Sequence, residues 1–291
     1  MNKLIKSVFS AHKTQSVVAA RTFSTSQDPA SAELLSKIKD LGTQAAVDAL
    51  WLNGYPQPQI CGSRALTEGM KMVGNAVTVR FVPHRPDLLL DKPKGEDSAE
   101  YKAFEMCGPD QVLVMASTGP WESVGGDVKF LRLAQRKVGG YDDLVLFDMF
   151  TLFLTTTTTT TTRRLVTDGS VRDTHILRKY GFPVFSHSTT AKQGPAVMQP
   201  WGLNEVIECG GVTVRPNDII LGDDDGVVVI PRSMAETVVR VASEREKIES
   251  LIRDELERNP GSPGKYYPFK QPVDPNTPLG ELISRHGKKY E

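Results

Sequence analysis

Apolar positions recur along the chain with two different periods. Residues 31–52 carry Leu34, Leu35, Ile38 and Leu41 on one helical face, then Val47, Ala49, Leu50 and Leu52 after a break at Gly42-Thr43. Thr43 is the expected N-cap of the second piece. Residues 70–82 alternate as a strand, with Val73, Ala76-Val77, Val79 and Phe81 apolar. A Pro- and charge-rich loop (83–99), a short helix (101–107) and a buried strand (112–115) follow. Gly125-Gly126 then opens a helix over 128–138. Leu165-Val166 reads as a buried strand, 174–180 as a helix, 181–185 as a short strand and 186–203 as a polar loop. Residues 210–218 read as a strand and turn. Two apolar strands, 219–222 and 227–230, flank the acidic turn Asp223-Asp224-Asp225-Gly226 as a hairpin. Residues 233–258 form a long amphipathic helix with Met234, Val238, Val241, Ile248, Leu251 and Ile252 on its apolar face. Asn259 to Pro263 ends it, and a Pro-rich tail over 257–291 is expected to be extended or loosely packed.

Two segments do not follow these periods. Residues 1–27 carry Lys3, Lys6, Lys13 and Arg21, many Ser and Thr and no acid, with Leu4, Ile5, Val8 and Phe9 at helical spacing. This is the composition of a mitochondrial transit peptide, so a matrix location is expected; the competing reading is a disordered tail. Residues 141–164 hold the run Thr155 to Thr162 followed by Arg163-Arg164, a compositional tract with no apolar face.

The 291 residues suffice for a core of normal size, and 39% hydrophobic with 24% charged residues is globular composition. A formal net charge of zero gives no electrostatic footprint for nucleic acid; removing the four positive charges of 1–27 leaves −4. No apolar run reaches the ~18 residues of a membrane span. Cys61, Cys107 and Cys209 form no C-x-x-C pair, and buried small hydrophobes are expected at all three.

Candidate chemistry centres on Thr167-Asp168-Gly169-Ser170-Val171-Arg172-Asp173, at the exit of a buried strand. Open α/β sheets bind ligands at the carboxyl ends of their strands. A carboxylate there can hold a hard divalent cation, and an adjacent arginine can grip a substrate carboxylate through two hydrogen bonds. The competing reading is a pair of solvated charges at a helix start. Gly125-Gly126-Asp127 also opens a helix, where backbone N–H groups can approach an anion, although Gly-Gly pairs also simply make turns. The acidic turn 223–225 could bind a cation or be a solvated turn.

Taken in order, Val47-Asp48-Ala49-Leu50, Val73 to Val79, Gly125-Gly126-Asp127, Asp168-Gly-Ser-Val-Arg172-Asp173, Gly181 to Phe185 and Gly222 to Pro231 resemble the family of 4-hydroxy-4-methyl-2-oxoglutarate aldolases and ribonuclease E activity regulator A proteins. The resemblance spans about residues 34–256. It implies an α/β fold, a three-layer ββα sandwich of the swivelling-domain type. The domain would cover 28–256, interrupted by the anomalous insertion 141–164, and would assemble as a homotrimer or homohexamer with active sites between subunits. Gly126 and Arg172 lie 46 positions apart; without the 24 residues of 141–164 they would be 22 apart, the spacing of the catalytic members. The insertion is therefore expected to be a retained intron or gene-model error, and if translated it puts folding in doubt.

Carried over by motif, Asp173 would be the direct Mg²⁺ or Mn²⁺ ligand, and Arg172 would bind the carboxylate or keto oxygen of a 2-oxo acid. Asp127 would hold water on the metal, and Asp168 would orient its neighbours. Backbone N–H groups of Gly126, Val128 and Lys129 would seat the pyruvoyl carboxylate. One of Glu244, Glu246 and Glu249 would come from an adjacent subunit. The implied activity is metal-dependent cleavage of 4-hydroxy-2-oxo acids to pyruvate, with an oxaloacetate decarboxylase side activity. The family's alternative is a non-catalytic protein that binds a ribonuclease, because this fold need not catalyse.

Overall fold

The computed structural model describes residues 27–55, 58–135 and 163–286. The expected transit peptide and threonine tract lie outside the described residues, apart from Gln27 and Arg163-Arg164. In chain order the elements are α1 (Ala32–Lys39), α2 (Thr43–Leu52), β1 (Gln59–Ile60), β2 (Arg64–Ala65), β3 (Met72–Pro83), α3 (Ala99–Met106), β4 (Gln111–Ala116), β5 (Ser123–Gly125) and α4 (Asp127–Gln135). After 162 come β6 (Leu165–Thr167), β7 (Ser170–Val171), α5 (Thr174–Tyr180), β8 (Val184–Ser186), β9 (Ser188–Thr189), β10 (Met198–Leu203), β11 (Ile207–Cys209), β12 (Val212–Val214), β13 (Ile219–Asp223), β14 (Gly226–Ile230), α6 (Ala235–Arg258) and α7 (Pro278–His286).

The main sheet has the order β1-β14-β13-β3-β4-β6-β8-β2, with β10 also paired to β3. Its centre, β3, β4, β6 and β8, is parallel; β13, β14 and β1 run antiparallel on one side and β2 on the other. The two edge strands β1 and β2 are separated by only three residues of chain. The sheet must therefore curl until its edges nearly meet, and Arg64 of β2 donates to the Asp225 carbonyl beside β14.

Strand alternation decides what each face covers. Val112 and Val114 of β4, Val166 of β6, Phe185 of β8, Ile220 of β13 and Val227 and Val229 of β14 point to one face, which the β11–β12 hairpin closes with Ile207, Cys209, Val212 and Val214. Their neighbours point to the other face. Leu113, Met115, Leu165 and Val184 pack on α3, α4 and α5 through Phe104, Phe130 and Leu177. Val73, Ile219, Leu221, Val228 and Ile230 pack on α1, α2 and α6 through Ile38, Ala46, Leu50 and Val238. Hairpin, curled sheet and helices make a layered α/β sandwich in the order β, β, α. Each large side chain buried this way contributes roughly 1.5–3 kcal/mol. Among the described residues no helix is long and apolar enough to cross a membrane.

Several expectations are corrected. Thr43 is the first residue of α2 rather than its cap; Gly42 holds the cap position, and Thr43 directs its N–H and Oγ1 to the Asp223 carboxylate at 2.9 and 2.7 Å. The acidic turn is thus used internally, with Asp224 accepting from Gly69 N–H. The stretch 186–203 is not a loop throughout: β9 and β10 lie within it, and β10 pairs with β3 through a register shift between Pro200 and Gly202. The tail is not loosely packed. Tyr266, Leu279 and Leu282 are buried against Leu251 and Ile252 of α6. Cys61 is exposed, whereas Cys107 and Cys209 are buried. Gln27, placed in the leader, has its carbonyl bonded by Asn217 Nδ2.

Arg163 and Arg164, placed in the anomalous segment, belong to the packed domain. Arg164 O accepts from Leu113 N–H at the start of β6. Buried Arg163 donates Nη1 to Ala134 O of α4 at 3.1 Å, so residues 135 and 163 flank the segment 136–162 within one side chain's reach. Closing so short a gap with a shorter loop is entropically cheap, about 0.6 kcal/mol per halving of length. Replacing 136–162 by a few Gly and Ser residues should leave the far-ultraviolet circular dichroism of the folded domain in place and raise stability to urea by no more than about 2 kcal/mol. A chain that no longer unfolds cooperatively after this replacement would show that the segment is part of the core.

Candidate active site

The site is built where two parallel strands pass the end of the main sheet and turn into helices. β5 and β7 pair in parallel, Ser123 with Ser170 and Gly125 with Val171, and β9 extends them as a third strand. β5 runs into α4 through Gly126, and β7 runs into α5 through Arg172-Asp173. The pairing continues one step further, with Arg172 N–H donating to Gly125 O at 3.0 Å. This register brings the two junctions side by side although 46 positions separate Gly126 from Arg172.

Gly126 and Asp173 meet so closely that any side chain at 126 would displace Asp173. A Cβ built on Gly126 would lie 2.1 Å from Asp173 Oδ2 and 2.9 Å from Arg172 Cγ. Asp173 is at φ 56°, ψ 36°, the left-handed region that Asp tolerates better than most residues. Its carbonyl accepts from Ile176 and Leu177 N–H and opens α5. Its carboxylate lies 3.2 Å from Arg172 Nε, and both side chains are partly exposed. Among the described residues Asn204 and Asn217 are the other non-glycine residues at positive φ.

Asp127, the first residue of α4, has its Oδ1 bonded by Val128 N–H at 2.7 Å, while Tyr180 Oη donates to its carbonyl. Phe130 is the first α4 residue to bond backward, to Gly126 O at 3.0 Å. Of the N–H groups ahead of it, that of Val128 is taken by Asp127 Oδ1 and that of Lys129 is left at the helix start, where the helix dipole favours an anion. Val128 is exposed. The Lys129 ammonium is held by Glu100 at 2.8 Å, in a largely buried pair, so Lys129 can serve a ligand at this helix start through its backbone.

Asp168 was assigned an orienting role, and the structure shows what it holds. Its two oxygens accept from Ser117 N–H at 2.8 Å, at the end of β4, and from Gly210 N–H at 2.9 Å, in the β11–β12 turn. Burial, the largest influence, raises its pKa above the ordinary 3.8, against the lowering effect of these N–H groups. Of the helix glutamates, Glu246 accepts from Gly42 N–H and Glu249 pairs with Arg245. Glu244 is exposed with no hydrogen bond or ion pair among the described residues. The structure therefore brings together Gly126, Asp127, Val128, Arg172 and Asp173, and sets Asp168 one step behind them. Sequence reasoning missed the Lys129–Glu100 pair. Glu100 stood just ahead of the short helix expected over 101–107, and nothing in the spacing of the two residues marked them as partners.

A model of the RraA-like family, described as Aldolase/RraA, matches residues 151–229, which include the Arg172-Asp173 junction. The chain carries an RraA-like domain. A Halalkalibacterium halodurans protein named "Putative 4-hydroxy-4-methyl-2-oxoglutarate aldolase" is 29% identical over 186 residues, 63% of this chain and 70% of that one. The crystal structure of Streptomyces coelicolor RraAS2, described as an unusual member of the RNase ES inhibitor RraA protein family, superposes with a TM-score of 0.62 at 25% identity, covering 78% of this chain and 99% of the other. An uncharacterised Pseudomonas syringae protein shares the fold, with a TM-score of 0.61 at 20% identity over 81% of this chain and 97% of its own. The proteins this chain is similar to thus include one named as a putative aldolase and one described as a member of a ribonuclease-inhibitor family.

Two measurements check the packing of this site. Gly126→Ala should cost about 1–3 kcal/mol in urea unfolding, because the added methyl must displace Asp173 or its junction. Asp168→Ala should cost about 2 kcal/mol or more, since it strands two backbone N–H groups. The sign with pH is set by the raised pKa. The folded state holds the Asp168 proton more tightly than the unfolded chain, so this contribution to stability is full below about pH 3.8 and is lost as pH rises through the folded value. A wild-type stability profile minus that of Asp168→Ala should fall with pH over this window.

Proposed function

We propose that the protein is a divalent-metal-dependent carbon–carbon lyase, cleaving 4-hydroxy-2-oxo acids of the 4-hydroxy-4-methyl-2-oxoglutarate type to pyruvate and decarboxylating oxaloacetate as a side activity. The observation that carries this reading is the left-handed Asp173, with Arg172 beside it, set against the bare backbone of Gly126.

The residues fit a hard cation that keeps much of its own water. Asp173 offers one carboxylate, and Asp127 stands at the neighbouring junction. Among the described residues no three His, Cys, Asp or Glu side chains gather into a protein cage. Mg²⁺ or Mn²⁺ bound through one or two carboxylates plus substrate oxygens suits such a set. Asp173 would hold the ion, and its chemistry is to stabilise the negative oxygen that develops on the pyruvate fragment.

The chain's own residues do the rest. Arg172 grips the substrate's carboxylate or keto oxygen with its planar fork. The N–H groups of Gly126, Val128 and Lys129, at the positive end of α4, seat the pyruvoyl carboxylate. Asp127 steers the proton that leaves the C4 hydroxyl. Breaking the C3–C4 bond then leaves an enolate, and groups arranged for that charge accelerate the reaction because they act more strongly on it than on the substrate. Loss of carbon dioxide from oxaloacetate passes through the same enolate. Trp121 and Val128, apolar yet exposed near these junctions, support a site completed between subunits of a homotrimer or homohexamer, with Glu244 the free helix glutamate to contribute across it. The basic, acid-free residues 1–27 support delivery to the mitochondrial matrix.

The Streptomyces relative's description favours a second reading, contact inhibition of a ribonuclease. Turnover separates the two. The purified protein with Mg²⁺ should release pyruvate from oxaloacetate and from 4-hydroxy-4-methyl-2-oxoglutarate. Activity should vanish with EDTA and return with Mg²⁺ or Mn²⁺. Asp173→Ala should lower kcat by about 10²–10³ or more. Full activity after chelation, or in Asp173→Ala, defeats the metal assignment. No turnover of either acid, together with tight binding to a ribonuclease, establishes the regulator instead.

A further inference from the structure

A second cavity, of about 270 Å³, lies between the end of β3, β10, the start of α3 and the side of α4. None of Asp127, Arg172 and Asp173 lines it; Lys129 is common to both places, offering its backbone to the helix start and its side chain to this cavity. Its wall carries four basic side chains, His84, Lys92, Lys94 and Lys129, and one carboxylate, Glu100, already paired with Lys129. Its wall also holds two buried polar groups that the protein leaves unsatisfied. Gln199 is only 4% exposed, yet neither its Oε1 nor its Nε2 has a hydrogen-bond partner; Ser98, 7% exposed, has an unpartnered Oγ. Groups buried this way are destabilising unless something else bonds them.

The unsatisfied set has a definite chemistry. An amide with both ends free asks for an acceptor and a donor side by side, whichever way round it sits. The surplus of ammonium groups asks for a negative charge. Burial already pushes Lys92 below its usual pKa, and Lys92 has the Trp201 ring 5.8 Å away rather than a carboxylate in direct contact. The cavity is slightly smaller than the range typical of drug-sized ligands. We propose that this cavity is a binding site for a small hydroxy acid: the Gln199 amide, closed off from the empty cavity, turns into it, so that the ligand's carboxylate meets the lysines and the amide N–H while its hydroxyl donates to the Gln199 carbonyl. The site is separate from the Arg172–Asp173 junction, and its occupancy does not depend on the lyase reading.

Calorimetric titration of the full chain with L-malate tests this, with succinate as the same diacid lacking the hydroxyl. Malate should bind saturably and succinate about tenfold more weakly, because a site built to pair a hydroxyl rejects its absence. Gln199→Leu should weaken malate about tenfold or more while raising the melting temperature of the ligand-free protein, since it removes an unsatisfied amide. That rise shows the variant is folded, and turnover of oxaloacetate should be unchanged in it. Should Gln199→Leu fail to fold, Lys92→Met carries the same expectation for affinity. Asp173→Ala should bind malate as the wild type does. The proposal is overturned if malate shows no saturable binding, if Gln199→Leu or Lys92→Met binds it as well as the wild type, or if Asp173→Ala abolishes binding, which would place malate at the other site.

Discussion

The close approach of Asp173 to Gly126 is the contact on which the candidate site rests. It requires two things that oppose each other. Asp173 must take a left-handed conformation, costing of order 1–3 kcal/mol, and a neighbouring backbone must come within reach of its carboxylate. Glycine at 126 removes the steric obstacle. The strain is held by bonds on both sides of it: Arg172 N–H is fixed to Gly125 O, and the Asp173 carbonyl is fixed by two N–H groups of α5. Neither strand–helix junction could hold this geometry alone, because β5 has three residues and β7 only two. Their pairing supplies the rigidity that their length does not.

That pairing depends in turn on the curled sheet beneath it. β4 and β6 end at the level where β5 and β7 begin, and Asp168 ties those ends to the β11–β12 hairpin with one oxygen each. A carboxylate is the smallest side chain able to take both N–H groups, and burying it costs enough to raise its pKa. The hairpin it grips also plugs the sheet's inner face through Ile207, Cys209, Val212 and Val214. The same residue thus couples closure of the core to the position of the loop that carries Arg172 and Asp173. This is why Asp168 belongs to the site without touching a ligand there.

How far the sequence revealed this follows from the length of each signal. β3, β4, β13, β14, α5 and α6 were legible because their apolar runs are long or sharply bounded. β10 was not, since Met198-Gln-Pro-Trp-Gly-Leu203 carries a proline and a glycine that argue against a strand, and it tolerates them only through its register shift against β3. α7 was legible in principle: Pro278 at its first position and Leu279, Leu282 and Ile283 at helical spacing are a start signal. The proline-rich flanks hid it. Arg172, Asp173, Gly126 and Asp127 were found by motif, but their meeting was not visible, because register between strands of two and three residues leaves no period to read. Gln199 and Ser98 could not have been found at all. An unsatisfied polar group is a property of surroundings, not of sequence.

The threonine-rich segment bears on the fold differently from what its position in the sequence suggests. It directly precedes β6, which seemed to threaten the central motif. In space the attachment points lie elsewhere. α4 begins at the site and ends at Gln135, eight residues later, or about 12 Å along the helix axis. β6 runs toward the site, so its entry at Arg163-Arg164 is at the opposite end of the layer from Asp168 and Asp173. Arg163 bridges the two attachment points through Ala134 O, and Arg164 locks β6 onto β4 and Pro109. The pairing that seats the parallel strands is therefore made downstream of the segment by residues that belong to the domain. Whatever occupies 136–162, the geometry of Asp173 and Gly126 is set by strand register and by Asp168. Both lie at the far end of the sheet from where that segment joins it.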